Sequence, residues 1–339
     1  MRSVQLQSFG LEGLKIVEGE IPEPGPDQVV VKMAAASLNY HDLVTVLGKV
    51  NPNLPMPVVP LSDGCGTVVA TGDLVSDLEV GERVVSLFYP NWTAGPPARE
   101  NQSPIVGESI DGVLTEYALL QRTGVARVPD YLTDTEAASL PCAALTAWRS
   151  LVVEARIKAG DTVLLQGTGG VSIFGLQFAK MLGAEVILTS SSDEKLQRAS
   201  GLGADHLINY RSTPQWAREA KRITAGLGVD HVMEVGGAGT FEQSLRAIRI
   251  DGHIGMIGVL SGWQDQISTA RMMVLNANVK GITVGNRGHF EDMVRAMDLH
   301  RIRPVISHTL AFEAHAEALS LMQRGGHFGK ICLSFSTTG

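Results

Sequence analysis

Four consecutive polar residues, Asn39-Tyr40-His41-Asp42, have side chains that could stabilise and protonate a reacting oxygen. An asparagine amide donates hydrogen bonds to a developing negative charge, and tyrosine or histidine can donate or relay a proton. Asn39, Tyr40 and His41 are therefore the candidate catalytic residues. A structural alternative stays open, in which Tyr40 and His41 only line a cleft and Asp42 caps a helix over residues 42–47.

A glycine turn in the middle of the chain could bind a dinucleotide. The apolar run 163–165 ends in the turn 167–170, and a helical pattern and a second apolar run follow it. Gly167 permits a tight turn, Gly169 lets the backbone approach a pyrophosphate, and the helix N-terminus offers unpaired N–H groups. Ser172 replaces the third glycine of the usual fingerprint. The sequence therefore predicts a nucleotide-binding βαβ unit at this turn.

The composition is that of a globular protein. The 339 residues are 44% hydrophobic and 19% charged, with a net charge of −7. No basic block is present, which argues against nucleic acid and anionic membrane as partners. No apolar run approaches the ~18 residues of a membrane span, and three scattered cysteines suit a reducing compartment. We expect a cytoplasmic protein.

The pattern of the chain changes near residue 128. Up to that point, β-rich runs at 29–33, 66–70 and 83–85 are separated by Gly, Pro and Asp, and an irregular loop spans 88–112. This pattern predicts a mostly antiparallel, barrel-like domain in which the long loop forms part of a substrate wall.

From residue 129 to residue 300, helical segments alternate with six short apolar runs. The alternation predicts a doubly wound parallel sheet of six strands. The tail 301–339 lacks it and is expected to join residues 1–128, so that the nucleotide-binding domain is an insertion. The expected strands are 163–167, 185–190, 206–209, 230–235, 252–257 and 279–284, and the expected helices are 134–154, 170–182, 193–202, 213–225, 239–248 and 289–300.

Five strings besides the glycine turn occur in an order that indicates a family: 37–42, 60–66, 140–148, 202–210 and 329–333. Together they resemble the medium-chain dehydrogenase/reductase superfamily, and most closely its zinc-independent branch of quinone oxidoreductase-like and NAD(P)-dependent alcohol dehydrogenase-like proteins. The resemblance implies an α/β fold, with a Rossmann sheet inserted into a GroES-like β-barrel catalytic domain.

The resemblance also indicates the positions of the catalytic zinc ligands. Zinc-dependent members use Cys, His and Cys, and the matching residues here are Asn39, Ser62 and Cys142. One thiol cannot hold a catalytic zinc, which needs three protein ligands, although Asp63 stays a conceivable ligand of a weak site. The four cysteines of the structural zinc lobe are missing as well. We therefore expect no metal, with Cys142 as a small buried apolar residue.

Without a Lewis acid, hydride transfer needs an acceptor that is already electrophilic, such as a quinone or an enone, an alkene conjugated to a carbonyl. The resemblance implies the same substrate class. The sequence thus predicts an NADPH-dependent oxidoreductase for a small-molecule quinone or enone. Two alternatives stay open: an NAD(P)-dependent alcohol dehydrogenase or carbonyl reductase, and a non-catalytic NADPH-binding protein.

The choice of nicotinamide cofactor depends on the end of the second strand. NAD-selective sites have an acid there that binds the ribose 2′-OH, and this chain has Ser190. Hydroxyls and a nearby lysine accept a 2′-phosphate, so we expect NADPH, with NADH possible. The resemblance adds Lys180, Lys195 and Tyr210 as cofactor residues. The segment 191–194 is also a capping box for the next helix, and both roles can hold because a cap leaves other hydroxyls free.

Other cofactor-binding residues are expected beside the glycine turn, at the carboxyl ends of strands and in the strings that indicate the family. They are Thr146, Thr168, Gly170, Val171, Ser191, Gly236, Ile257, Gly258 and Lys330. The sixth strand, near 280–285, is expected at the edge of the parallel sheet, and apolar edges seek partners. Relatives pair these edges, so we expect a homodimer.

Overall fold

The computed structural model describes residues 1–264 and 266–335. Contacts divide the chain into two compact units. The first unit comprises Met1–Leu145 with Val284–Gly339, and the second comprises Thr146–Thr283. Residues 336–339 of the predicted catalytic domain lie outside the described residues.

The strands are, in chain order, β1 (Arg2–Leu6), β2 (Leu14–Glu18), β3 (Gln28–Ser37), β4 (Asp63–Thr71), β5 (Arg83–Ser86), β6 (Tyr117–Gln121), β7 (Val125–Arg127), β8 (Thr162–Gln166), β9 (Glu185–Ser190), β10 (His206–Asn209), β11 (Val229–Glu234), β12 (Ile248–Met256), β13 (Asn278–Gly281), β14 (Ile306–Ala311) and β15 (Lys330–Ser334).

The α-helices are α1 (Tyr40–Val46), α2 (Asp134–Ala138), α3 (Leu145–Trp148), α4 (Gly170–Met181), α5 (Asp193–Gly201), α6 (Trp216–Ile223), α7 (Phe241–Ala247), α8 (Thr269–Leu275), α9 (Arg287–His300) and α10 (His315–Arg324). Two π-type segments, Leu140–Ala144 and Arg149–Glu154, flank α3. Among the described residues, no helix has both the length and the apolar character that a membrane span requires.

The first unit is built on a mostly antiparallel sheet with the order β14-β15-β3-β4-β5-β7, in which β6 also pairs with β3. The valine-rich strand β3 pairs with β4, β6 and β15, each in antiparallel register. Ser37, at the end of β3, lies opposite Asp63 of β4 and Cys332 of β15. Residues just beyond these paired positions therefore converge at one end of three neighbouring strands.

The second unit contains a parallel sheet of six strands with the order β10-β9-β8-β11-β12-β13. This confirms the predicted doubly wound sheet. Residues 163–165 of β8 have no exposed surface, as expected of a central strand. The strand order reverses between β8 and β11, and sheets of this kind bind ligands at the carboxyl ends of the strands beside such a reversal.

Two predicted elements differ from those observed. The helix predicted for 134–154 is interrupted after α2, because Pro141 has no N–H to donate. The Ser139 hydroxyl donates instead to the carbonyl of Glu136 at 2.7 Å, which ends α2. The sixth strand is also shorter than the predicted 279–284, and the sequence pattern does not indicate α8 before it.

The observed boundaries between the two units lie closer to the strands of the parallel sheet than the predicted boundaries at residues 128 and 300 do. Segments 129–145 and 284–300 pack with the first unit. The Tyr131 hydroxyl donates to the carbonyls of Met297 and Ile302 at 3.0 and 2.7 Å, which ties the two segments together. Apolar residues of α9 are fully buried there. A helical pattern shows that one face of a helix is buried, but it does not show which unit the helix packs with.

Candidate active site

The candidate catalytic residues lie where β3 ends and α1 begins. Asn39 directly precedes α1, and its backbone N–H donates to Asp42 Oδ2 at 2.7 Å. Asp42 Oδ1 accepts from the backbone N–H of Ser62 at 3.2 Å. One buried carboxylate therefore caps α1, as in the structural alternative, although α1 begins at Tyr40 rather than at residue 42, and it also ties the start of α1 to the start of β4.

Lys330 reaches Asn39 from the adjacent strand. The N–H of Leu38 donates to the carbonyl of Ile331 at 3.0 Å, which extends the pairing of β3 with β15 and brings Lys330 beside Asn39. The buried Lys330 ammonium donates to the carbonyl of Leu38 at 2.7 Å and to Asn39 Oδ1 at 2.6 Å. Lys330, which is predicted to bind the cofactor, thus donates a hydrogen bond to the candidate catalytic residue Asn39.

Hydrogen bonds link Asn39 to the other two positions that match zinc ligands. Asn39 Nδ2 lies 3.4 Å from Ser62 Oγ, and the Ser62 hydroxyl donates to Asp63 Oδ1 at 2.8 Å. The backbone N–H of Cys142 donates to Asp63 Oδ2 at 3.0 Å. The structure therefore brings together the residues that the resemblance indicates, in one hydrogen-bonded cluster.

The cluster contains two buried carboxyl groups whose pKa values rise. Burial, and then the nearby charge of Asp63, raise the pKa of Asp42 to about 6. Burial also raises the pKa of Asp63, while the Lys330 ammonium and hydrogen bonds from Asn39 and Ser62 oppose that rise. Negative charge in this cluster thus depends on the lysine beside it.

These residues do not fit a catalytic zinc ion. The three matching positions provide a carboxamide, a hydroxyl and one thiol, which is not a donor set that zinc prefers. Both oxygens of Asp63 already accept hydrogen bonds, and the Lys330 ammonium beside Asn39 disfavours a second cation. Within residues 1–264 and 266–335, no group of three or more His, Cys, Asp or Glu side chains could hold a metal ion.

Tyr40 and His41 lie at the surface side of the same helix start. Tyr40 is exposed, and His41 packs edge-on against Phe88 with 5.0 Å between ring centroids. His41 Nε2 lies 2.8 Å from Oε2 of the buried Glu108, without the alignment of a hydrogen bond. Glu108 belongs to the loop 88–112, and no local sequence pattern pairs an acid in such a loop with a distant helix.

The glycine turn connects β8 to α4 as predicted. Gly167 has a φ of +71°, the left-handed conformation that favours glycine, and its N–H donates to the carbonyl of Thr189 at 2.8 Å. Gly169 directly precedes α4. A Cβ added at Gly167 or Gly169 would meet no atom within 4 Å, so space for a phosphate is open beside this backbone. The turn and the first turn of α4 also contain Thr168, Gly170 and Val171.

The missing third glycine has a structural counterpart. The Ser172 hydroxyl donates to the carbonyl of Gln166 at 2.6 Å, at the end of β8. Close packing of the helix on the sheet occurs instead at Gly175, where an added Cβ would lie 2.6 Å from Met233 Sδ. The helix therefore approaches the sheet one turn later than the usual fingerprint indicates.

Hydroxyl and cationic side chains gather where β9 and β10 end. The N–H of Tyr210 donates to the carbonyl of Ser190 at 3.0 Å. The N–H of Ser192 donates to Ser190 Oγ, and Ser192 Oγ caps α5 by accepting from the N–H of Lys195, each at 3.3 Å. Burial, and then the positive charge of Arg198, lower the pKa of Lys195. A bound phosphate would relieve that repulsion.

The structure contradicts the cofactor role predicted for Lys180. This residue lies near the end of α4, and ten residues at 1.5 Å each separate it from the glycine turn by about 15 Å. Its ammonium donates to the Asp205 carboxylate at 2.8 Å and to the carbonyl of Ala184 at 3.0 Å. Both partners lie at the amino ends of β9 and β10, opposite to the ends that bind ligand.

A buried carboxylate, whose hydrogen-bond partners the sequence pattern does not show, organises the loop after β11. Glu234 Oε1 accepts from the N–H groups of Gly236 and Gly237 at 2.8 and 2.9 Å. Gln166, at the end of β8, donates from Nε2 to Glu234 Oε2 at 2.7 Å. The charged residue at the end of an apolar strand, followed by two glycines, is the signal that could have identified it.

The remaining predicted cofactor residues stay predictions. The N–H groups of Ile257 and Gly258 both donate to the carbonyl of Glu234, at 2.8 and 3.1 Å, so they are not free to bind a substrate oxygen. Thr146 is buried in the short helix α3. Ser191 follows β9 directly.

Comparisons with known proteins agree with this geometry. The sequence models of two domains match the chain: the alcohol dehydrogenase GroES-like domain over residues 25–130, and the zinc-binding dehydrogenase domain over residues 170–299. A zinc-type alcohol dehydrogenase-like protein of Schizosaccharomyces pombe is 42% identical over 331 residues, which are 96% of each chain. The chain belongs to the medium-chain dehydrogenase/reductase superfamily.

Other members of the superfamily are similar over nearly their whole length. Acryloyl-coenzyme A reductase of Sulfurisphaera tokodaii is 29% identical over 94% of this chain and 96% of its own. The structure of an NAD-dependent alcohol dehydrogenase has a TM-score of 0.92 at 34% identity, covering 99% and 100% of the two chains. A mycobacterial protein complexed with NADPH has a TM-score of 0.84 at 26% identity, covering 98% and 100%.

These similarities define the class of the protein. It is an NAD(P)-dependent oxidoreductase of the alcohol dehydrogenase-like group in the superfamily. The predicted α/β fold, a Rossmann sheet together with a GroES-like domain, is confirmed.

Proposed function

We propose that this protein transfers a hydride from NADPH to a quinone or an enone without zinc. The observation that supports this best is the cluster at the matching metal positions, where Lys330 donates to Asn39 and Asn39 faces Ser62. An unconjugated carbonyl needs a Lewis acid or a positioned general acid to polarise it for hydride addition, whereas a conjugated acceptor already delocalises the incoming charge onto its oxygen. Acryloyl-coenzyme A, named for one relative, contains an alkene of this conjugated kind.

The residues of the cluster have distinct roles in this reaction. When bound, the reduced nicotinamide supplies the hydride. The Asn39 amide donates an N–H to the acceptor oxygen as that oxygen becomes negative. His41 supplies the proton, with its ring restrained by Glu108 and Phe88, and the exposed Tyr40 is the alternative donor.

NADPH is the proposed cofactor because the side chains at the carboxyl ends of β9 and β10 are polar and basic. Ser190 stands where NAD-selective proteins have an acid, and Lys195 lies close to a second cation, Arg198. The 2′-phosphate of NADPH would bind the hydroxyls and the ammonium, while NADH lacks this group. The relative complexed with NADPH supports the same choice.

A panel of acceptors tests the function. Protein purified in chelator is mixed with NADPH and an enone, a quinone or a simple ketone, and with NADP⁺ and an alcohol, while NADPH absorbance is followed. We expect consumption with the enone and the quinone. Faster reaction with the ketone or the alcohol would favour an alcohol dehydrogenase or carbonyl reductase, as the names of several relatives suggest. Tight NADPH binding without consumption would favour a non-catalytic binding protein.

We also propose that the protein is a homodimer. Strand β13 is the exposed edge of the parallel sheet, and Met273 and Val274 of the preceding helix are exposed apolar residues. Such an edge can pair with the same strand of a second copy. A Val279→Asp substitution on β13 should convert the dimer to a monomer in light scattering, and a monomeric wild type of about 36 kDa would contradict the proposal.

A further inference from the structure

Lys330 is a buried cation with two acceptors, and neither acceptor is a carboxylate. It is 4% exposed, and its ammonium donates to the carbonyl of Leu38 and to Asn39 Oδ1. Burying an ammonium is costly unless an opposite charge balances it. The opposite charge that interacts with it is Asp63: burial raises the pKa of that carboxyl group, and the Lys330 ammonium opposes the rise. Because burying the Lys330 ammonium is costly, packing alone does not explain why a lysine occupies this position.

Lys330 determines the direction in which the Asn39 carboxamide faces. The oxygen and nitrogen of a carboxamide are nearly equal in size, so packing alone does not choose between the two orientations. An ammonium only donates, so the atom 2.6 Å from Lys330 Nζ must be the oxygen. The amide nitrogen then faces Ser62 Oγ at 3.4 Å, a long distance for a hydrogen bond, and the Asp63 carboxylate. Of the two N–H groups on this nitrogen, one hydrogen-bonds to Asp63, and the other is oriented but only weakly engaged by Ser62.

We propose that Lys330 is a positioning residue, whose ammonium fixes and polarises the Asn39 amide so that its N–H group can bind the acceptor oxygen. This inference rests on the proposed function, in which Asn39 binds that oxygen. A positive charge one hydrogen bond behind the amide also strengthens it as a donor, because buried hydrogen bonds in series polarise one another. The chain thereby has a fixed positive charge beside the positions at which zinc-dependent relatives hold their metal.

The positioning role and the expected cofactor role of Lys330 have different kinetic consequences. If Lys330 bound a cofactor phosphate, removal of its charge would weaken NADPH binding. If it positions Asn39, removal of the charge lowers kcat and leaves NADPH affinity unchanged. The two roles can therefore be separated by measuring both quantities.

The test compares Lys330→Met, Lys330→Arg and the control Lys32→Met, which changes an exposed lysine of β3. For each variant, kcat and KM for an enone and the Kd of NADPH are measured in the wild-type and Asn39→Ala backgrounds. We expect Lys330→Met to lower kcat about tenfold to hundredfold and to leave the NADPH Kd within about twofold. The same substitution should cause no further loss in Asn39→Ala, since the group that it positions is already absent. Lys330→Arg keeps a cation that only donates and should retain more turnover than Lys330→Met.

Lys330→Met also leaves Asp63 buried without its balancing charge. The double variant Lys330→Met/Asp63→Asn, which has a neutral pair, is therefore measured beside it, with thermal unfolding of every protein. We expect the double variant to fold and to show the same loss of kcat.

Two results would overturn the positioning role alone. One is normal turnover of Lys330→Met while Asn39→Ala is slow. The other is an equal loss from Lys330→Met in both backgrounds. Normal turnover of Asn39→Ala itself would overturn the positioning role together with the oxyanion role in the proposed function.

Discussion

The glycine turn of the second unit and the Asn39 cluster of the first unit are built from different parts of the chain. The turn depends on the absence of side chains, through the left-handed φ of Gly167 and the open space beside Gly169. The cluster depends on side chains, since Lys330, Asn39 and Asp63 are linked through hydrogen bonds and charge. A backbone site persists while its glycines persist, whereas a side-chain site changes its chemistry with one or two substitutions. This difference explains why the chain has the dinucleotide turn of its superfamily and a different set of groups at the metal positions.

The largest expected effect comes from filling the space beside the turn. In Gly169→Val, the side chain occupies the space that a pyrophosphate needs and blocks hydrogen bonds to the turn. Loss of two hydrogen bonds to a charged group is worth roughly 4 kcal/mol, about a thousandfold in NADPH affinity. The unfolding temperature should change little, because the added Cβ meets no atom within 4 Å. Calorimetric titration with NADPH measures the affinity.

The matched control for this substitution is Gly201→Val. Gly201 ends α5 and also has no atom within 4 Å of an added Cβ. It should leave NADPH affinity close to that of the wild type. Equal affinities for all three proteins would show that the dinucleotide does not bind at the turn.

The contrast between the backbone turn and the side-chain cluster also explains which features of the fold and the site the sequence could predict. Glycines separated by one residue between a strand pattern and a helix pattern locate the turn, because they constrain backbone conformation directly. The contact of Lys330 with Asn39 depends on the register between β3 and β15, which the sequence does not encode locally. The prediction for Lys180 failed for a related reason, since the helical pattern does not show to which end of the sheet a side chain extends. Glu108 lies in an irregular loop, where no period relates it to His41.

A substitution within the cluster should affect turnover rather than cofactor affinity. Asn39→Ala removes the amide that is proposed to bind the acceptor oxygen, and loss of one such donor costs about 3 kcal/mol, roughly a hundredfold in kcat. NADPH affinity should stay unchanged, which is the opposite of the expected result for Gly169→Val. Stopped-flow reduction of an enone by NADPH measures the step. Wild-type turnover of Asn39→Ala would direct attention to Tyr40 as the donor.

A smaller effect is expected where β9 and β10 end, at the proposed binding site of the 2′-phosphate. Ser190→Asp adds a negative charge beside this group and offers a carboxylate to the 2′-OH of NADH. The ratio of affinities for NADPH and NADH should shift toward NADH by about 2 kcal/mol, roughly thirtyfold. Competitive titration of the two cofactors measures the ratio. An unchanged ratio of the two affinities would show that the residues around Ser190 do not recognise the 2′-phosphate.

A different kind of effect, on stability rather than on turnover or affinity, concerns how the stability of the first unit depends on pH. The folded-state pKa of Asp42 is about 6, above the ordinary value of 3.8, so between these values the folded state keeps a proton that the unfolded state has lost. The contribution of Asp42 to the free energy of unfolding is therefore fully present below pH ~4 and decreases by about 3 kcal/mol as pH rises to ~6. Asp42→Asn cannot titrate and should lack this decrease.

Urea unfolding at several pH values measures that difference. The control is Asp130→Asn, which changes an exposed acid of the same unit and should follow the wild-type curve. If wild type and Asp42→Asn show the same pH dependence, then the carboxyl group of Asp42 titrates normally.

The Asn39 cluster is proposed to support reduction of a conjugated acceptor without zinc. The most direct test is turnover of an enone with NADPH by protein dialysed against chelator, with the metal content determined on the same sample. We expect full turnover at less than about one zinc per ten chains, and no increase when zinc is added. Loss of turnover on chelation, with recovery at one zinc per chain, would contradict it.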